Sequence, residues 1–476
     1  MSVAMEEVVR ALSVLEVPVL ASTARTLAQM RAEEDRLTAR DISRVVLRDP
    51  LMTLRVLRYA EGRRGARQLA DITTVEHAIM MHGITTFLRD HSRMTTIESV
   101  LENNGRALSG ALRVISRAQH ASAFARSIAA HRHDIESDEV VVGALLHDLA
   151  ELLLWCHRPD HQREIRYLVD NAQGLRSAAA QRLVLGFTHI ELQLALAAEW
   201  RLPALLCRLM DDDHADHPRV VNVMTAAALA RHLAHGWNDP ALPDDYKRIE
   251  KVAGISAQAA RRLVSSAAIT AARQWESTGV RPAASWLPLE RGQVEPEELG
   301  LVPPDAIDVR TCRRALDILG SSLPGVDEDA WTAWTLYGIR FGLGLRRCMY
   351  AQVTKDGRQL VERFQFGPGG TQQRYAAMPM PLSENNLFGR LMTKIQFVRT
   401  DSENRDRLIA RLVPAQRAVL SQCEFLAMSI MADAEPRGLI IADLGEAGRP
   451  IPANVVEPFK ALCFTLSQRL TALRSQ

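Results

Sequence analysis

The chain has 476 residues and a formal net charge of +2; 47% of its residues are hydrophobic and 24% are charged. This length exceeds one ordinary core and favours two or three domains, while the composition is typical of a soluble globular protein. The small net charge excludes a global field that would attract nucleic acid. The sequence has no apolar run of about 18 residues and no secretory-signal features at its start, so we expect no membrane association and a cytoplasmic location.

The first part of the chain, to about residue 275, has a helical pattern of apolar residues. Asp49-Pro50 is expected to end one helix and start the next, because proline suits a first helical turn. Thr73 or Thr74 is expected to cap a helix that ends at Gly83. The sequence therefore predicts an all-α domain over residues 1–276.

The following segment, residues 277–307, contains five prolines and is predicted to be a linker. Beyond it, over residues 308–476, two β-rich runs meet at Asp356-Gly357, which predicts a hairpin. The stretch GLIIADL predicts a further strand, and an amphipathic helix closes the chain. We therefore expect a multidomain protein with a smaller α+β domain at the C-terminus.

Residues 140–155 read VVVGALLHDLAELLLW and are expected to form one central helix that carries His147 and Asp148 in an apolar run. Burying this pair is unfavourable unless both side chains find partners, which implies either a hydrogen-bond network or a metal with further ligands. All fourteen histidines lie between His77 and His235, so the N-terminal half holds any histidine chemistry. The six cysteines are dispersed without a C-x-x-C pair, which argues against a disulfide framework and a zinc knuckle.

The HD pair, an upstream histidine and downstream histidines resemble the HD superfamily of metal-dependent phosphohydrolases. The closer resemblance is to its non-catalytic HDOD branch (the HD-related output domain), and it covers roughly residues 8–275. The segments that carry it are RDPLMTLRVLRYA, TTVEHAIMMHGI and GFTHIELQLALAAEWRLPALLCRLMDDDH. This resemblance implies an all-α fold and a bacterial signalling role, often coupled to a sensory domain.

The resemblance places four residues at metal-ligand positions, although the catalytic pattern is incomplete. His120 stands at the first metal histidine, His147 and Asp148 at the HD pair, and His189 near an extra histidine of the two-metal HD-GYP branch. His214 stands near a second such histidine, but no GYP triplet follows it. The helix expected to supply the closing carboxylate, VVNVMTAAALARHL, contains no acid, and Glu151 replaces the lysine that commonly follows the HD motif.

Three interpretations of the HD pair follow. The favoured one is a buried, hydrogen-bonded structural pair; the second is a metal held by His120, His147, Asp148 and His189 without hydrolysis; the third is a working hydrolase. No cofactor is expected unless the HD site is intact, in which case it would bind Mn, Fe or Mg. The acidic run DDDHADHP is interpreted as a solvated cap, with Asp213 or Asp216 at a helix start, in preference to a metal loop.

The C-terminal segment, residues 308–476, resembles a GAF domain in its opening helix, hairpin, late strand and closing helix. Such domains use a sheet with flanking loops as a small-ligand pocket or a dimer surface. Five aromatic residues could line such a pocket or form plain core: Tyr350, Phe364, Phe366, Phe388 and Phe397. The glycine-rich run FGPGGTQQ lacks the Lys-Ser/Thr of a P-loop and is interpreted as a loop after a strand.

The leading hypothesis is a non-catalytic bacterial signal-transduction protein, in which the HDOD domain is coupled to a ligand- or partner-sensing GAF-like domain. It implies a downstream signalling protein as partner, a small ligand or nucleotide at the GAF-like domain, and a homodimer as the assembly to test. Nucleic acid is not an expected partner, and no catalytic residue is assigned. The alternative is a divergent metal-dependent phosphohydrolase that acts on nucleotides or cyclic dinucleotides.

Overall fold

The computed structural model describes most of the chain. The described residues are 3–62, 73–91, 93–134, 137–172, 175–214, 216–237, 239–275, 280, 282–284, 306–367, 380–382, 386–446 and 448–474. Most of the predicted linker, and residues 368–373 of the glycine-rich run, lie outside the described residues.

The chain forms two compact units. One comprises Met1–Gln162 and His189–Val294, and the other Arg163–Thr188 and Glu295–Gln476. This division differs from the continuous one predicted at 1–276, 277–307 and 308–476, because Arg163–Thr188 groups with the C-terminal residues. We call the two groups the N-terminal unit and the C-terminal unit, and Arg163–Thr188 the inserted segment.

The regular elements up to residue 275 are helices, apart from an isolated β-bridge between Val19 and Thr96. The α-helices are α1 Val3–Ser13, α2 Ala21–Met30, α3 Ala39–Val46, α4 Pro50–Gly62, α5 Val75–His82, α6 Ile84–Asp90, α7 Ile97–Val100, α8 Gly105–His131, α9 Ser137–Leu146, α10 Leu149–His157, α11 Pro159–Asn171, α12 Ser177–Leu185, α13 His189–Glu199, α14 Ala204–Leu209, α15 Pro218–Leu233, α16 Leu242–Ala253 and α17 Ala257–Gln274. Short 3₁₀ turns cover Arg31–Arg36 and Asp212–His214.

Local signals in the sequence explain several of these boundaries. The Thr74 side chain caps α5 by accepting from the His77 amide, and Gly83 ends the helix with φ of 82°. Helix α3 ends at Val46 and α4 begins at Pro50, which confirms the predicted break at Asp49-Pro50. The 27-residue helix α8 is central to the N-terminal unit, since α9, α10, α15 and α17 all pack against it.

The C-terminal unit is α+β. Besides α12 and most of α11 it contains α18 Val309–Gly320, α19 Glu328–Tyr337, a π-helix Gly338–Gly342, α20 Leu387–Leu391, α21 Arg405–Ile409, α22 Pro414–Leu420 and α23 Ala453–Arg474. Its strands are β1 Arg347–Val353, β2 Gln359–Phe366, β3 Met380–Pro381, β4 Phe397–Arg399, β5 Phe425–Ala432 and β6 Glu435–Asp443.

These strands form one antiparallel sheet of order β3-β2-β1-β6-β5-β4. The predicted hairpin at Asp356-Gly357 is confirmed: β1 pairs with β2, and Gly357 has φ of 69°, a conformation that suits glycine. Strands β5 and β6 are buried along most of their length, and α23 packs on β5.

One helical stretch of the described chain, Asp138–His157, is long and apolar enough to cross a membrane. However, 78% of its 18-residue apolar window is buried inside the protein. This burial is typical of a helical stretch in a protein core.

Candidate functional site

The HD pair lies at a junction between two helices. Helix α9 ends at Leu146 and α10 begins at Leu149, so the single helix expected over this run is wrong. Asp148 occupies the N-cap position of α10, with φ of −102° and ψ of 27°, but its side chain makes no cap hydrogen bond. Its carboxylate is instead directed to side chains from elsewhere in the fold, which favours a break in the helix.

His147 lies between two carboxylates. Its Nδ1 is 3.2 Å from Asp148 Oδ1, its Nε2 is 3.3 Å from Asp212 Oδ1, and only 7% of its side chain is exposed. Burial alone would lower the pKa of His147, but its hydrogen bonds to Asp148 and Asp212 outweigh burial and raise the pKa. Because ionised carboxylates only accept hydrogen bonds, this geometry favours an imidazolium that donates from both ring nitrogens.

Arg117 on α8 supplies a second positive charge at the junction. Its Nη2 donates to Asp148 Oδ2 at 3.2 Å and to Glu151 Oε2 at 2.6 Å, and 8% of its side chain is exposed. Burial would lower the pKa of Arg117, yet the charges of Glu151 and Asp148 raise it. Burial would likewise raise the pKa of Asp148, but the His147 hydrogen bond and the Arg117 charge lower it. We call Arg117, His147, Asp148, Glu151 and Asp212 the junction network.

His120 is held by the backbone. Its Nδ1 is 2.8 Å from the Ser116 carbonyl oxygen, and the Ala284 amide donates to its Nε2 at 3.4 Å. An imidazole that accepts at Nε2 must carry its proton at Nδ1, so His120 is neutral. Burial lowers its pKa to about 4, which agrees with that state. His120 therefore anchors Ala284 to α8 through the nitrogen that a metal would need.

His189 begins α13, and burial lowers its pKa. Four residues after it, Gln193 accepts a hydrogen bond at Oε1 from the Ala150 amide in the first turn of α10, at 3.2 Å. This bond fixes the start of α13 beside the junction, and the charges of Glu151 and Asp148 both act on His189.

The four predicted metal ligands thus have different surroundings. The structure brings His147 and Asp148 into contact, places His189 within their electrostatic range and gives His120 backbone partners. Within the described ranges, no group of three or more His, Cys, Asp or Glu side chains is placed to hold a metal. Arg117 already places a positive charge against the Asp148 carboxylate, which argues against a divalent ion at the same oxygens. Metal binding by the four residues remains a prediction.

Sequence reasoning missed two members of the junction network. Asp212 belongs to the run interpreted as a solvated cap, yet its carboxylate meets His147. The cap of α15 is also different from the one expected: His217, rather than Asp213 or Asp216, accepts the Arg219 amide. Arg117 gave no signal in the sequence, because its partners lie 31 and 34 residues away in the chain.

In the C-terminal unit, four of the five aromatic residues considered for a pocket are core. Tyr350, Phe364, Phe366 and Phe388 are at most 1% exposed, while Phe397 is half-buried and contacts Lys460. Two described cavities, of about 110 and 370 Å³, lie elsewhere in the unit. The larger runs beside α23 and includes Lys394, Asp433 and Phe464.

Comparison with known families identifies part of the N-terminal sequence. Residues 17–216 match the HDOD domain model. This match confirms the HDOD resemblance over that range, which includes the junction network and the inserted segment. No curated protein matches the chain.

Several solved structures are distantly similar. A MmoQ response regulator from Methylococcus capsulatus str. Bath is 21% identical with a TM-score of 0.41, covering 52% of this chain and 98% of that one. A virulence factor from Campylobacter jejuni subsp. jejuni is 20% identical with a TM-score of 0.41, covering 53% and 90%. The GAF domain of an Acinetobacter phosphoenolpyruvate-protein phosphotransferase is 15% identical with a TM-score of 0.26, covering 35% and 93%. Similarities at this level assign no function.

Proposed function

We propose that this chain is a signal-transduction protein whose HDOD domain acts by binding and not by hydrolysis. The observation that carries the proposal is the contact of Arg117 with both Asp148 and Glu151. An HD phosphohydrolase uses its metal to hold phosphate and to lower the pKa of a bound water. Here a permanently charged guanidinium neutralises the carboxylate of the HD pair, and a guanidinium does not replace the metal in activating water.

The departures from the catalytic pattern form a consistent set. Where the family commonly has a lysine, this chain has Glu151, and the opposite charge is supplied by Arg117 from α8. Helix α15 offers Asn222 where a closing carboxylate is expected, and the Asn222 amide donates to the Ala125 carbonyl at 3.1 Å. These differences from the family pattern support the proposal that the HD junction has a structural role and not a catalytic one.

For the C-terminal unit we propose a GAF-like sensing role. The support is its α+β architecture, with one antiparallel sheet covered by helices. In this proposal the C-terminal unit binds a small ligand, a nucleotide or a protein, and the HDOD domain presents a surface to a downstream signalling protein. A homodimer and a cytoplasmic location belong to the same proposal.

Hydrolysis is tested with purified full-length protein, Mn²⁺, Fe²⁺ or Mg²⁺, and a panel of nucleotides and cyclic dinucleotides. We expect no metal-dependent turnover above that of the His147→Ala and Asp148→Ala variants. Turnover that requires the metal and is abolished by both substitutions would establish the phosphohydrolase alternative and overturn the proposal.

Sensing is tested by thermal unfolding of the full chain with the same nucleotides. A ligand that binds only the folded protein stabilises it in proportion to the logarithm of its concentration. We expect one class of nucleotide to raise Tm progressively with concentration. If no nucleotide raises Tm at millimolar concentration, nucleotide sensing is excluded, and binding of a protein partner is the next part of the proposal to test.

A further inference from the structure

The inserted segment belongs to the HDOD sequence match but folds within the C-terminal unit. Tyr167 on α11 is fully buried, and its ring meets the rings of Tyr337, Phe341 and Phe366 edge-on at centroid distances of 6.1, 4.9 and 5.4 Å. On α12, Ala180 and Leu183 are also buried. The segment is therefore part of the core of the C-terminal unit.

A single arginine of α18 holds both helices of the inserted segment. Arg314 Nη1 donates to Glu164 Oε1 on α11 at 2.7 Å, and its Nη2 donates to the Val184 carbonyl on α12 at 3.3 Å. The guanidinium also lies over the Trp334 ring, 5.5 Å from its centroid. This arginine fixes the two helices to an element that lies outside the HDOD match.

Residues that flank the inserted segment on both sides bind the first turn of α10. This turn lies at the HD junction, the break between α9 and α10 that carries His147 and Asp148. Gln162, the last residue before the segment, donates from Nε2 to the Glu151 carbonyl at 3.3 Å. Gln193, five residues after the segment ends, accepts from the Ala150 amide at 3.2 Å. The two glutamines are each 2% exposed, and they bind backbone groups of two consecutive residues in the first turn of α10.

We propose that the inserted segment is the element through which the state of the C-terminal unit controls the HD junction. A change that loosens or displaces the segment acts at both of its ends, and so acts on the two glutamine contacts. The first turn of α10 also carries Glu151, which shares Arg117 with Asp148. The C-terminal unit and the junction network are thereby energetically coupled. This inference rests on the proposed function, because it names how the signalling site is regulated.

The coupling is tested by hydrogen exchange on the full-length Arg314→Ala variant. Losing Arg314 frees both helices of the inserted segment from α18. We expect amide exchange in Arg163–Thr188 to accelerate about fivefold or more, the size of change that the loss of a partly buried contact produces. The account further predicts faster exchange in Leu149–His157 and His189–Glu199, with which Arg314 has no described contact.

Arg363→Ala is the matched control. The side chains of Arg314 and Arg363 are both 35% exposed. Like Arg314, Arg363 pairs with an acid, Asp329, and lies over an aromatic ring, that of Phe364, but it makes no described contact with the inserted segment. The control should leave exchange in all three peptides unchanged. Acceleration confined to Arg163–Thr188 in the Arg314→Ala protein, or equal acceleration in the control, would overturn the coupling.

A second measurement tests the inference if the Arg314→Ala variant fails to fold. A protease site inserted after Gly292, with no other change, allows the folded full-length chain to be cut within the predicted linker. Since the N-terminal fragment retains the inserted segment, the two fragments should co-elute under native conditions and separate in denaturant. Fragments that separate natively, each still folded, would contradict the inference. Neither readout depends on ligand, metal or turnover, so failure here is distinct from failure of the proposed function.

Discussion

Arg117 places one guanidinium against two carboxylates with 8% of its side chain exposed. A buried ion pair contributes little net stability compared with apolar packing, but removing one partner leaves uncompensated buried charge. Here two acids would be left, and among the described contacts His147 alone would still donate to Asp148. The junction network is therefore sensitive to the loss of this one residue.

Arg117→Met should lower the free energy of unfolding by about 3 kcal/mol, because Asp148 and Glu151 lose their buried counter-charge. The comparison is Arg126→Met on the same helix: Arg126 pairs with Asp138 at 3.4 Å, and both side chains are about half exposed. That surface pair should contribute no more than about 0.5 kcal/mol. Urea unfolding of the three proteins distinguishes these values; equal losses would show that Arg117 is not a buried counter-ion.

A pH dependence follows from His91. Its Nδ1 lies 2.9 Å from the Phe87 carbonyl oxygen, and burial lowers its pKa from 6.5 to about 4, with smaller effects from the charges of Arg55, His82 and Asp90. Below pH 6.5 the unfolded chain binds a proton that folded His91 takes up only near pH 4. Its contribution to stability is therefore full above pH 6.5 and is lost as the pH falls towards 4.

This effect is measured by comparing wild type with His91→Phe at pH 7.5 and pH 5.0. Between pH 7.5 and pH 5.0 the unfolding free energy of wild type should fall by roughly 2 kcal/mol more than that of the variant. This value follows because pH 5.0 lies about 1.5 units below the pKa of an unfolded histidine. The comparison isolates His91, because the other thirteen histidines are present in both proteins. An identical pH dependence in the two proteins would show that His91 titrates normally in the folded state.

The residues of the junction were predictable only in part. His147 and Asp148 lie in an apolar run, so their need for partners followed from the sequence, whereas their direct contact was not predicted. Asp212 lies 65 residues from His147, and the Ala284 amide lies 164 residues from His120. Such pairings depend on how helices cross, and the hydrophobic pattern of a single helix does not contain that information.

At the scale of elements, boundaries set by local chemistry were predicted and the junction was not. Thr74, Gly83, Pro50 and the Asp356-Gly357 turn act through their own backbone and side-chain preferences. The break between α9 and α10 has no glycine or proline to mark it. At this break the Asp148 carboxylate contacts Arg117 and His147 and makes no cap hydrogen bond to α10.

Helix α8 also depends on a close approach to α10. A Cβ at Gly110 would lie 2.6 Å from the Trp155 ring, whereas one at Gly105 meets no atom within 4 Å. Gly110→Ala should lower the unfolding free energy by about 1–3 kcal/mol through overpacking. Gly105→Ala should be neutral or stabilising, because it restricts the unfolded chain. Chemical denaturation checks both, and a neutral Gly110→Ala would show that the Trp155 ring is free to move.

At the scale of the whole molecule, the sequence match and the compact units do not coincide. The HDOD match is continuous over residues 17–216, whereas Arg163–Thr188 folds with the C-terminal residues. The α-helical and α+β characters of the two halves were predictable, because helical periodicity and strand signals are local. The assignment of the inserted segment was not, since Arg314 lies 150 residues beyond Glu164.

Tyr167→Ala tests this assignment. Removing a fully buried ring that meets three aromatic rings should lower the stability of the C-terminal unit by about 3–5 kcal/mol. Hydrogen exchange should accelerate in β1 and β6, although these strands begin at Arg347 and Glu435, far from Tyr167 in the sequence. Unchanged exchange in these strands would contradict the grouping of the inserted segment with the C-terminal unit.

The central claim is that ion pairs, and not a metal, hold the HD junction. Elemental mass spectrometry of freshly purified full-length protein, beside His147→Ala, tests it most directly. The account predicts no stoichiometric Mn, Fe, Zn or Mg in either protein. One or two metal ions per chain in wild type, lost in His147→Ala, would contradict it and favour the metal-dependent phosphohydrolase alternative.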